Sequence, residues 1–431
     1  VLTGLRALDV LWPIGRGSSV AVAAPGDASP SEVLRDMAVF MAQQERHTPE
    51  EKVQRVVYCA MDCSSAELDQ RVRSFQQRLG RHMRNVVIVG APNDDTRAQQ
   101  SLAPLTALAI ADDFRRIGED AVVVLDGLHE YLAARVCTHG GRKQAIGPRV
   151  PTLIARLLQR AYTMPIAMGG AAMTVIAGAN TDVDSDAGTR IRGALFAEPH
   201  VGDMLQQAGD SFVKLETPSS LTGFRYPSVE FSHATLCASP RWRSSVSACF
   251  LQDAVKVRDE LAALSAQLKT GAIGARVEAM NPAYSLKKPD PATHVFSKRR
   301  RFHRLRQCFD QRNSKPLSRA QLTLWLMLIS DEERLDAMDA TKMPEIEAEV
   351  FAFVEENYPQ VMQELGQLRA NSRMTARLRN EAQEAIDAYF QTQTARRREK
   401  SQQAMQRQQE AEAMLQDEDE VERLLAEISS E

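Results

Sequence analysis

The chain has 431 residues, 44% of them hydrophobic and 25% charged, which is the composition of a globular protein with room for two or three domains. A formal net charge of -3 gives no whole-chain attraction to nucleic acid or anionic lipid. No run approaches the roughly 18 consecutive apolar residues of a membrane-spanning helix. The six scattered cysteines do not form a secreted disulfide framework. We therefore expect thiols that stay reduced, and any membrane association to come through partners.

The first half of the chain alternates apolar runs with amphipathic stretches, which predicts a parallel sheet covered by helices. Strands that are apolar at nearly every residue must be buried on both faces, as in doubly wound sheets. The last of these strands ends in Asp126, at the edge where such sheets bind ligands. In chain order, the predicted elements are the strand Ser19–Ala24, the helix Ser31–Gln44, the strand Arg55–Ala60, the helix Ser65–Leu79, the strand Val86–Gly90, the helix Leu105–Ile117 and the strand Ala121–Asp126.

The pattern then changes twice. Residues 177–209 are rich in glycine and aspartate and predict a long surface loop, before strand character resumes at Phe212–Leu215. From about Ala254 onward the pattern is helical, and Pro344 and Pro359 stand at helix starts, where a missing amide proton costs nothing. The predicted helices are Val255–Lys269, Leu317–Ser330, Pro344–Glu356, Pro359–Arg369 and Met374–Phe390.

The C-terminal stretch is highly charged. After Gln391 the chain is almost wholly Arg, Gln, Glu, Lys, Ala and Met, and apolar residues return only near its end. This composition predicts a solvated helix or partly disordered tail that docks a partner. We therefore predict three parts: an α/β domain over residues 1–268, an α-helical domain over 269–391, and a charged helical or disordered tail over 392–431.

Several short motifs resemble those of a known family. Residues 3–9, TGLRALD, and residues 12–17, WPIGRG, are similar to the T-G-x-x-A-x-D and P-I-G-R-G motifs of the alpha subunits of rotary ATP synthases. An ordered series of landmarks is stronger than one motif, and further ones follow in the family's order up to about residue 390. The further landmarks are LAPLT at 102–106, ADDFR at 111–115, RLLQRA at 156–161, GGA at 169–171, LET at 215–217, GFR at 223–225, LS at 317–318 with LTLW at 322–325, and VEENYP at 354–359.

The resemblance implies a RecA-like P-loop NTPase domain followed by a helical bundle, with Asp126 at the Walker B position. A working phosphate loop needs glycines, a lysine for phosphate and a hydroxyl for magnesium. Residues 25–32 read PGDASPSE, so Pro30 stands in place of the second glycine, Ser31 of the lysine and Glu32 of the hydroxyl. The proline removes a donor and the other changes make the loop less positive. We therefore predict no firmly held cofactor, with ATP or ADP binding weakened.

The candidate nucleotide-contacting residues are Gly26, Asp27, Ser29, Ser31 and Asp126. A structural alternative is that the glycine and aspartate form a strand-to-helix turn with Ser29 or Ser31 as a helix cap. Because position 32 lacks a hydroxyl, Asp126 has only half of a magnesium site and is predicted to be structural.

The resemblance also implies an arginine that reaches the catalytic site of a neighbouring beta subunit and neutralises charge on the transferring phosphoryl group. Residues 238–244, ASPRWRS, resemble the family's S-V-S-R-V-G-S, so Arg241 is the candidate catalytic arginine. The segment from Gly223 to Arg241 is longer than in the family and contains Pro240, and Arg243 therefore remains the alternative.

Other residue clusters predict no further site. Cys59 and Cys63 have too few companions for zinc, and the eight histidines show no metal-binding spacing. Residues 298–306, KRRRFHRLR, could contact nucleic acid, but no second basic region supports them, and a solvated or subunit-facing helix is favoured. We predict neither a metal site nor a nucleic-acid partner.

The resemblance implies a non-catalytic alpha-type subunit that alternates with beta subunits, contacts the central gamma shaft and the peripheral stalk, and supports ATP synthesis. It implies the matrix side of the mitochondrial inner membrane, with the plastid thylakoid or bacterial plasma membrane as alternatives. The chain starts at Val1 without the family's N-terminal β-barrel. Because some protist mitochondria carry alpha as two fragments, we expect a separate N-terminal alpha fragment.

Two rival functions remain at this point. An autonomous ring ATPase or helicase would need an intact phosphate loop, and Pro30, Ser31 and Glu32 argue against it. A diverged alpha paralogue could instead act as a scaffold or regulator without ATPase activity, using the charged tail for interaction.

Overall fold

The computed structural model describes a defined set of residues, and they divide into two compact units. The first unit is Val1–Pro344 with Leu365–Met374, and the second is Glu345–Glu364 with Thr375–Glu431. The domain boundaries expected at residues 268 and 391 stay predictions. The described residues are 1–24, 30–44, 54–138, 150–180, 210–216, 228–229, 253–264, 294–309, 311, 316–331, 334, 342–368, 372–396, 398, 402 and 405.

The first unit contains a parallel sheet, as the sequence predicted. Its strand order is β3-β2-β4-β6-β1-β7-β8, with the short β5 pairing with β6. All pairings are parallel except β5 with β6 and β7 with β8. The strands are β1 Ser19–Ala24, β2 Gln54–Ala60, β3 Val86–Gly90, β4 Asp120–Asp126, β5 Tyr162–Thr163, β6 Ala172–Asn180, β7 Ser211–Glu216 and β8 Ser228–Val229.

Helices follow the strands and continue to the C-terminal part. Local sequence fixes three of their starts, because Ser64 with Glu67, Thr96 with Gln99 and Ser318 with Gln321 each form a reciprocal capping box. The helices are α1 Arg6–Leu11, α2 Pro30–Gln43, α3 Ser65–Leu79, α4 Arg97–Arg116, α5 Leu128–Thr138, α6 Val150–Leu158, α7 253–264, α8 His294–Phe309, α9 Arg319–Ser330, α10 Met343–Asn357, α11 Pro359–Gln367 and α12 376–396, with a 3-10 helix at Gly80–Asn85.

The sheet is buried on both faces at its centre. All six residues of β1 and all but the first of β4 are buried. One face packs against α4, α5 and α6 in a single apolar cluster. Helix α2 lies on the opposite face, where Leu34 reaches Gly178 of β6. Two-sided burial explains why these strands are apolar at nearly every position.

A glycine sets how closely α2 approaches the sheet. A Cβ added to Gly178 would lie 2.3 Å from Cδ1 of Leu34, so a side chain at this position would push the helix away. Gly178 is in register with Val22 of β1 and with Asp126 of β4. The close approach therefore holds the first turn of α2 over the carboxyl end of β4.

The N-terminal motif has a structural role. The buried carboxylate of Asp9 accepts hydrogen bonds from the Thr3 amide at 2.8 Å, the Thr3 hydroxyl at 2.8 Å and the Gly4 amide at 2.9 Å. Burial raises the pKa of Asp9 to about 6, although these hydrogen bonds act in the opposite direction. The threonine, glycine and aspartate of this motif therefore close a local turn.

Part of the C-terminal helical region belongs to the same unit as the sheet. The Arg6 guanidinium donates to the Cys308 carbonyl at 2.7 Å and lies 5.0 Å from the centre of the Trp325 ring. In the basic stretch, Arg301 pairs with Glu260, and Leu305 is fully buried. This basic helix is therefore partly packed inside its own unit, a contact that the expectation of a solvated or subunit-facing helix did not include.

The second unit is helical. The Tyr389 hydroxyl donates to Glu349 at 2.6 Å, and its ring stands edge-on to Phe353 at 5.7 Å. Gln393 donates to the same carboxylate at 3.1 Å. Because α12 runs to residue 396, the first residues of the predicted tail are helical and contact α10.

Three predictions of elements need correction. Helix α4 begins at Arg97 and not at Leu105, with Pro104 inside it. Residues 177–180 were predicted as loop but are the buried end of β6, while 181–209 lie outside the described residues. The sequence reading also did not place α5 and α6. Among the described helices, none has the length and apolar character needed to cross a membrane.

Candidate functional site

The candidate site lies at the carboxyl edge of the sheet and is centred on Asp126, whose side chain is fully buried. Its Oδ1 accepts a hydrogen bond from the Ser31 hydroxyl at 2.7 Å. Its Oδ2 accepts from the Tyr58 hydroxyl at 2.5 Å and from Nη1 of Arg71 at 3.0 Å. These four residues are the Asp126 cluster, in which both carboxylate oxygens are bound by protein donors.

Four different elements build the Asp126 cluster. Ser31 is in the first turn of α2, and Tyr58 is on β2, two residues before Ala60, which is in register with Asp126. Arg71 is on α3, one turn before the buried Phe75, so it falls on the inward face of that helix. The rings of Tyr58 and Phe75 pack at 5.0 Å. Packing on both sides therefore fixes the donors around the carboxylate.

The electrostatics favour an ion pair in a dry environment. Burial raises the pKa of Tyr58 well above its ordinary value, and the charge of Asp126 adds to this effect, so the phenol remains a neutral donor. Burial acts to lower the pKa of Arg71, but Asp126 together with the weaker effects of Tyr58, Cys63 and Asp62 outweighs burial, and the pKa is raised. The guanidinium, which is only 12% exposed, therefore stays charged next to the carboxylate.

The donors of the Asp126 cluster can be compared with the ligands of a magnesium site. Magnesium in nucleotide sites is held by carboxylate and hydroxyl oxygens together with phosphates and water. Here the carboxylate of Asp126 and the hydroxyl of Ser31 bind each other, and the Arg71 guanidinium supplies the positive charge. The hydroxyl beside Asp126 comes from Ser31 and not from residue 32, and Glu32 is exposed.

The structure brings two of the predicted site residues together. Ser31 and Asp126 are in direct contact. Because α2 begins at Pro30, Ser31 lies inside the first turn and is not the helix cap that the structural alternative proposed. The remaining candidates, namely Gly26, Asp27, Ser29, Arg241 and Arg243, lie outside the described residues and stay predictions.

Sequence reasoning missed Tyr58 and Arg71, although both leave a signal. Tyr58 stands in an otherwise apolar strand, and a buried phenol usually needs a hydrogen-bond partner. Arg71 follows Leu68 by three residues and precedes Phe75 by four, so it lies on the apolar stripe of α3. A charge on that stripe indicates a buried partner.

The fold and the site define a class of protein. A parallel sheet with helices on both faces, a first strand leading into a helix, and an acidic residue at the end of β4, one strand removed from β1, form the RecA-like P-loop NTPase fold. Residues 4–194 match the model of the ATP synthase alpha/beta family, nucleotide-binding domain. This part of the chain is therefore similar to the nucleotide-binding domain of the ATP synthase alpha/beta family, and the predicted resemblance is confirmed.

Curated relatives point to the alpha branch of that family. The mitochondrial ATP synthase subunit alpha of Neurospora crassa is 26% identical over 41% of this chain and 32% of its own length. ATP synthase subunit alpha of Wolinella succinogenes is 26% identical over 40% of this chain and 34% of its own length. That of Orientia tsutsugamushi is 27% identical over 44% and 38%. The matched segment thus spans about a third of each relative.

Proposed function

We propose that this chain is a non-catalytic alpha-type subunit of an ATP synthase head, which alternates with beta subunits and completes their catalytic interfaces. The domain match to the alpha/beta family and the relatives named subunit alpha support the subunit type. The saturated carboxylate of Asp126 supports the loss of catalysis. The proposed location is the matrix side of the mitochondrial inner membrane.

The Asp126 cluster is the observation that best supports the proposal that this subunit is non-catalytic. To hold magnesium through Oδ2, Asp126 would have to release Arg71, which would leave a guanidinium that is 12% exposed without its carboxylate partner. Breaking a buried ion pair costs about 3–5 kcal/mol. A Mg²⁺ ion bound mainly through phosphate and one carboxylate would have to offset this cost before it gained any affinity.

We therefore expect the purified chain to bind MgATP weakly or not at all. Isothermal calorimetry is the measurement, with ATP in EDTA as the companion titration that removes the metal contribution. The two titrations should give equally weak signals, because neither can use Asp126. Low-micromolar binding of MgATP at one per chain would contradict the proposal.

Assembly tests the subunit type. On co-expression of the tagged chain with beta and gamma subunits from the same source, we expect a complex that contains alpha-type and beta subunits in equal number, measured by native mass spectrometry. The same spectrum would show a separate N-terminal alpha fragment and peripheral-stalk subunits if they join. Recovery of the chain without beta would favour the alternative, a diverged paralogue that serves as a scaffold or regulator.

A further inference from the structure

A second polar cluster lies beside the Asp126 cluster at the same edge of the sheet. It consists of Asp62, His129 and Glu130, and one ligand atom of each lies within 4.8 Å of the other two. Asp62 follows the end of β2, and the other two residues are in the first turn of α5, directly after β4. His129 and Glu130 are buried, whereas the Asp62 side chain is 39% exposed.

Gly127 brings the two chain segments together. Its φ of 88° lies in the left-handed region, and an added Cβ would lie 2.6 Å from both the amide nitrogen and the Cβ of Asp62. Only glycine permits this approach. The turn after β4 therefore presses against the turn after β2, and this places the carboxylate of Asp62 over the start of α5.

We propose that Asp62, His129 and Glu130 form a binding site for a divalent transition-metal ion, with Zn²⁺ as the best match. An imidazole nitrogen and two carboxylates are a ligand set that zinc accepts, whereas Mg²⁺ and Ca²⁺ prefer oxygen alone. The half-exposed Asp62 gives the ion an access path and leaves room for water as a fourth ligand. This site uses none of the side chains of the Asp126 cluster.

The local charges favour a cation. Two carboxylates lie together with one imidazole, and Nε2 of His129 lies 3.3 Å from the Asp62 carboxylate. The start of α5 opposes a cation with about half a positive charge, which is smaller than the two negative charges. Arg97 contacts Glu130 at 3.4 Å and is 33% exposed, so it can turn to solvent when the ion binds.

The histidine already faces the proposed ion position. Its Nδ1 accepts a hydrogen bond from the Asn180 amide at 3.3 Å, so the neutral ring carries its proton on Nε2, 3.3 Å from Asp62. When Nε2 binds a metal, this proton leaves and the neutral ring is protonated at Nδ1, so the Asn180 amide loses its acceptor. Losing one such hydrogen bond weakens binding by roughly fivefold to tenfold.

Calorimetry of the full chain with ZnCl₂ tests the proposal. We expect one Zn²⁺ per chain with micromolar or tighter affinity, and binding of Mg²⁺ at least 100-fold weaker. Co²⁺ in place of Zn²⁺ should give a visible absorption band that reports coordination.

Variants assign the ligands. His129→Gln, Glu130→Gln and Asp62→Asn should each weaken zinc binding at least tenfold. His82→Gln, which removes a histidine elsewhere in this unit, and Cys63→Ser, which removes the thiol next to Asp62, should leave it unchanged. Because Asp62 is half-exposed, its variant is the one best able to keep the wild-type fold, which circular dichroism verifies.

Two outcomes would contradict the proposal of a metal site. One is the lack of stoichiometric zinc binding by the folded wild-type chain. The other is zinc binding that survives Asp62→Asn and His129→Gln but is lost in Cys63→Ser, which would assign the ion to thiols. Neither outcome affects the proposed subunit function, since that is tested by MgATP titration and by assembly with beta subunits.

Discussion

Arg71→Ala is expected to lower the free energy of unfolding of the first unit by about 3 kcal/mol. The substitution leaves the fully buried Asp126 carboxylate without its cation, with only the hydroxyls of Ser31 and Tyr58 as donors. Urea unfolding followed by tryptophan fluorescence measures the effect, because Trp12 and Trp325 are both buried in this unit.

The same helix provides a matched control. Arg78 of α3 pairs with Asp36 at 2.6 Å, but it is 31% exposed. Arg78→Ala should therefore cost less than about 1 kcal/mol, as expected for pairs in contact with water. Arg71→Ala combined with Asp126→Asn should recover part of the loss, because the uncompensated charge is gone. If Arg71→Ala and Arg78→Ala lowered the free energy of unfolding equally, the ion pair of Arg71 with Asp126 would have no special role in stability.

Arg241→Ala is expected to lower ATP turnover by an assembled head complex by about a thousandfold, if this residue supplies the arginine that completes the neighbouring beta site. The charge is needed chiefly in the transition state. Turnover should therefore fall while assembly and nucleotide affinity change much less. Steady-state hydrolysis by complexes purified with beta and gamma subunits is the measurement.

Arg243→Ala is the control for this assignment, because only one of the two arginines can occupy the position in the motif. A loss confined to Arg243→Ala would move the role by two residues. Near-normal hydrolysis in both single variants and in the double variant would show that this subunit provides no catalytic arginine and acts only structurally.

The sheet could be predicted from the sequence because its strands are apolar runs and the central ones are buried on both faces. The bounds of β1 and β3 agree with the prediction at both ends, since each is a continuous apolar run. Strand β6 was partly assigned to a loop because Gly178 and the glycine- and aspartate-rich residues after it carry turn signals. In the fold, Gly178 is there to admit Leu34, a long-range contact that no local pattern shows.

Helix boundaries depend on capping side chains, which the spacing of hydrophobic residues does not reveal. Helix α4 extends eight residues further toward the N-terminus than predicted, because the capping box of Thr96 and Gln99 starts it and Pro104 does not end it. A proline within a helical pattern is ordinarily taken as a boundary. Packing of Ala103, Ala107 and Ala111 against the sheet holds this helix in place despite the proline.

The candidate site was predictable only in part. Asp126 could be placed because it ends an apolar strand, and the resemblance assigned its position. The contacts of Tyr58 and Arg71 with Asp126 arise from α3 and β2 and connect residues far apart in the chain, so spacing along the sequence could not reveal them. For the same reason, the sequence did not show that Asp62 and His129 lie close together.

The position of Arg71 bears on whether the nucleotide site, which we propose is lost, could be regained by mutation. One of its terminal nitrogens binds Asp126, and the other donates to the Asp62 carbonyl at 2.8 Å. New glycines, a lysine and a threonine in residues 25–32 would restore the phosphate loop, but the carboxylate would still be engaged by α3. Arg71 would have to change as well, and its loss without a metal in its place is expected to destabilise the protein. Restoring the loop first would therefore bring no gain and removing Arg71 first would cost stability, so the arginine would make loss of the site hard to reverse.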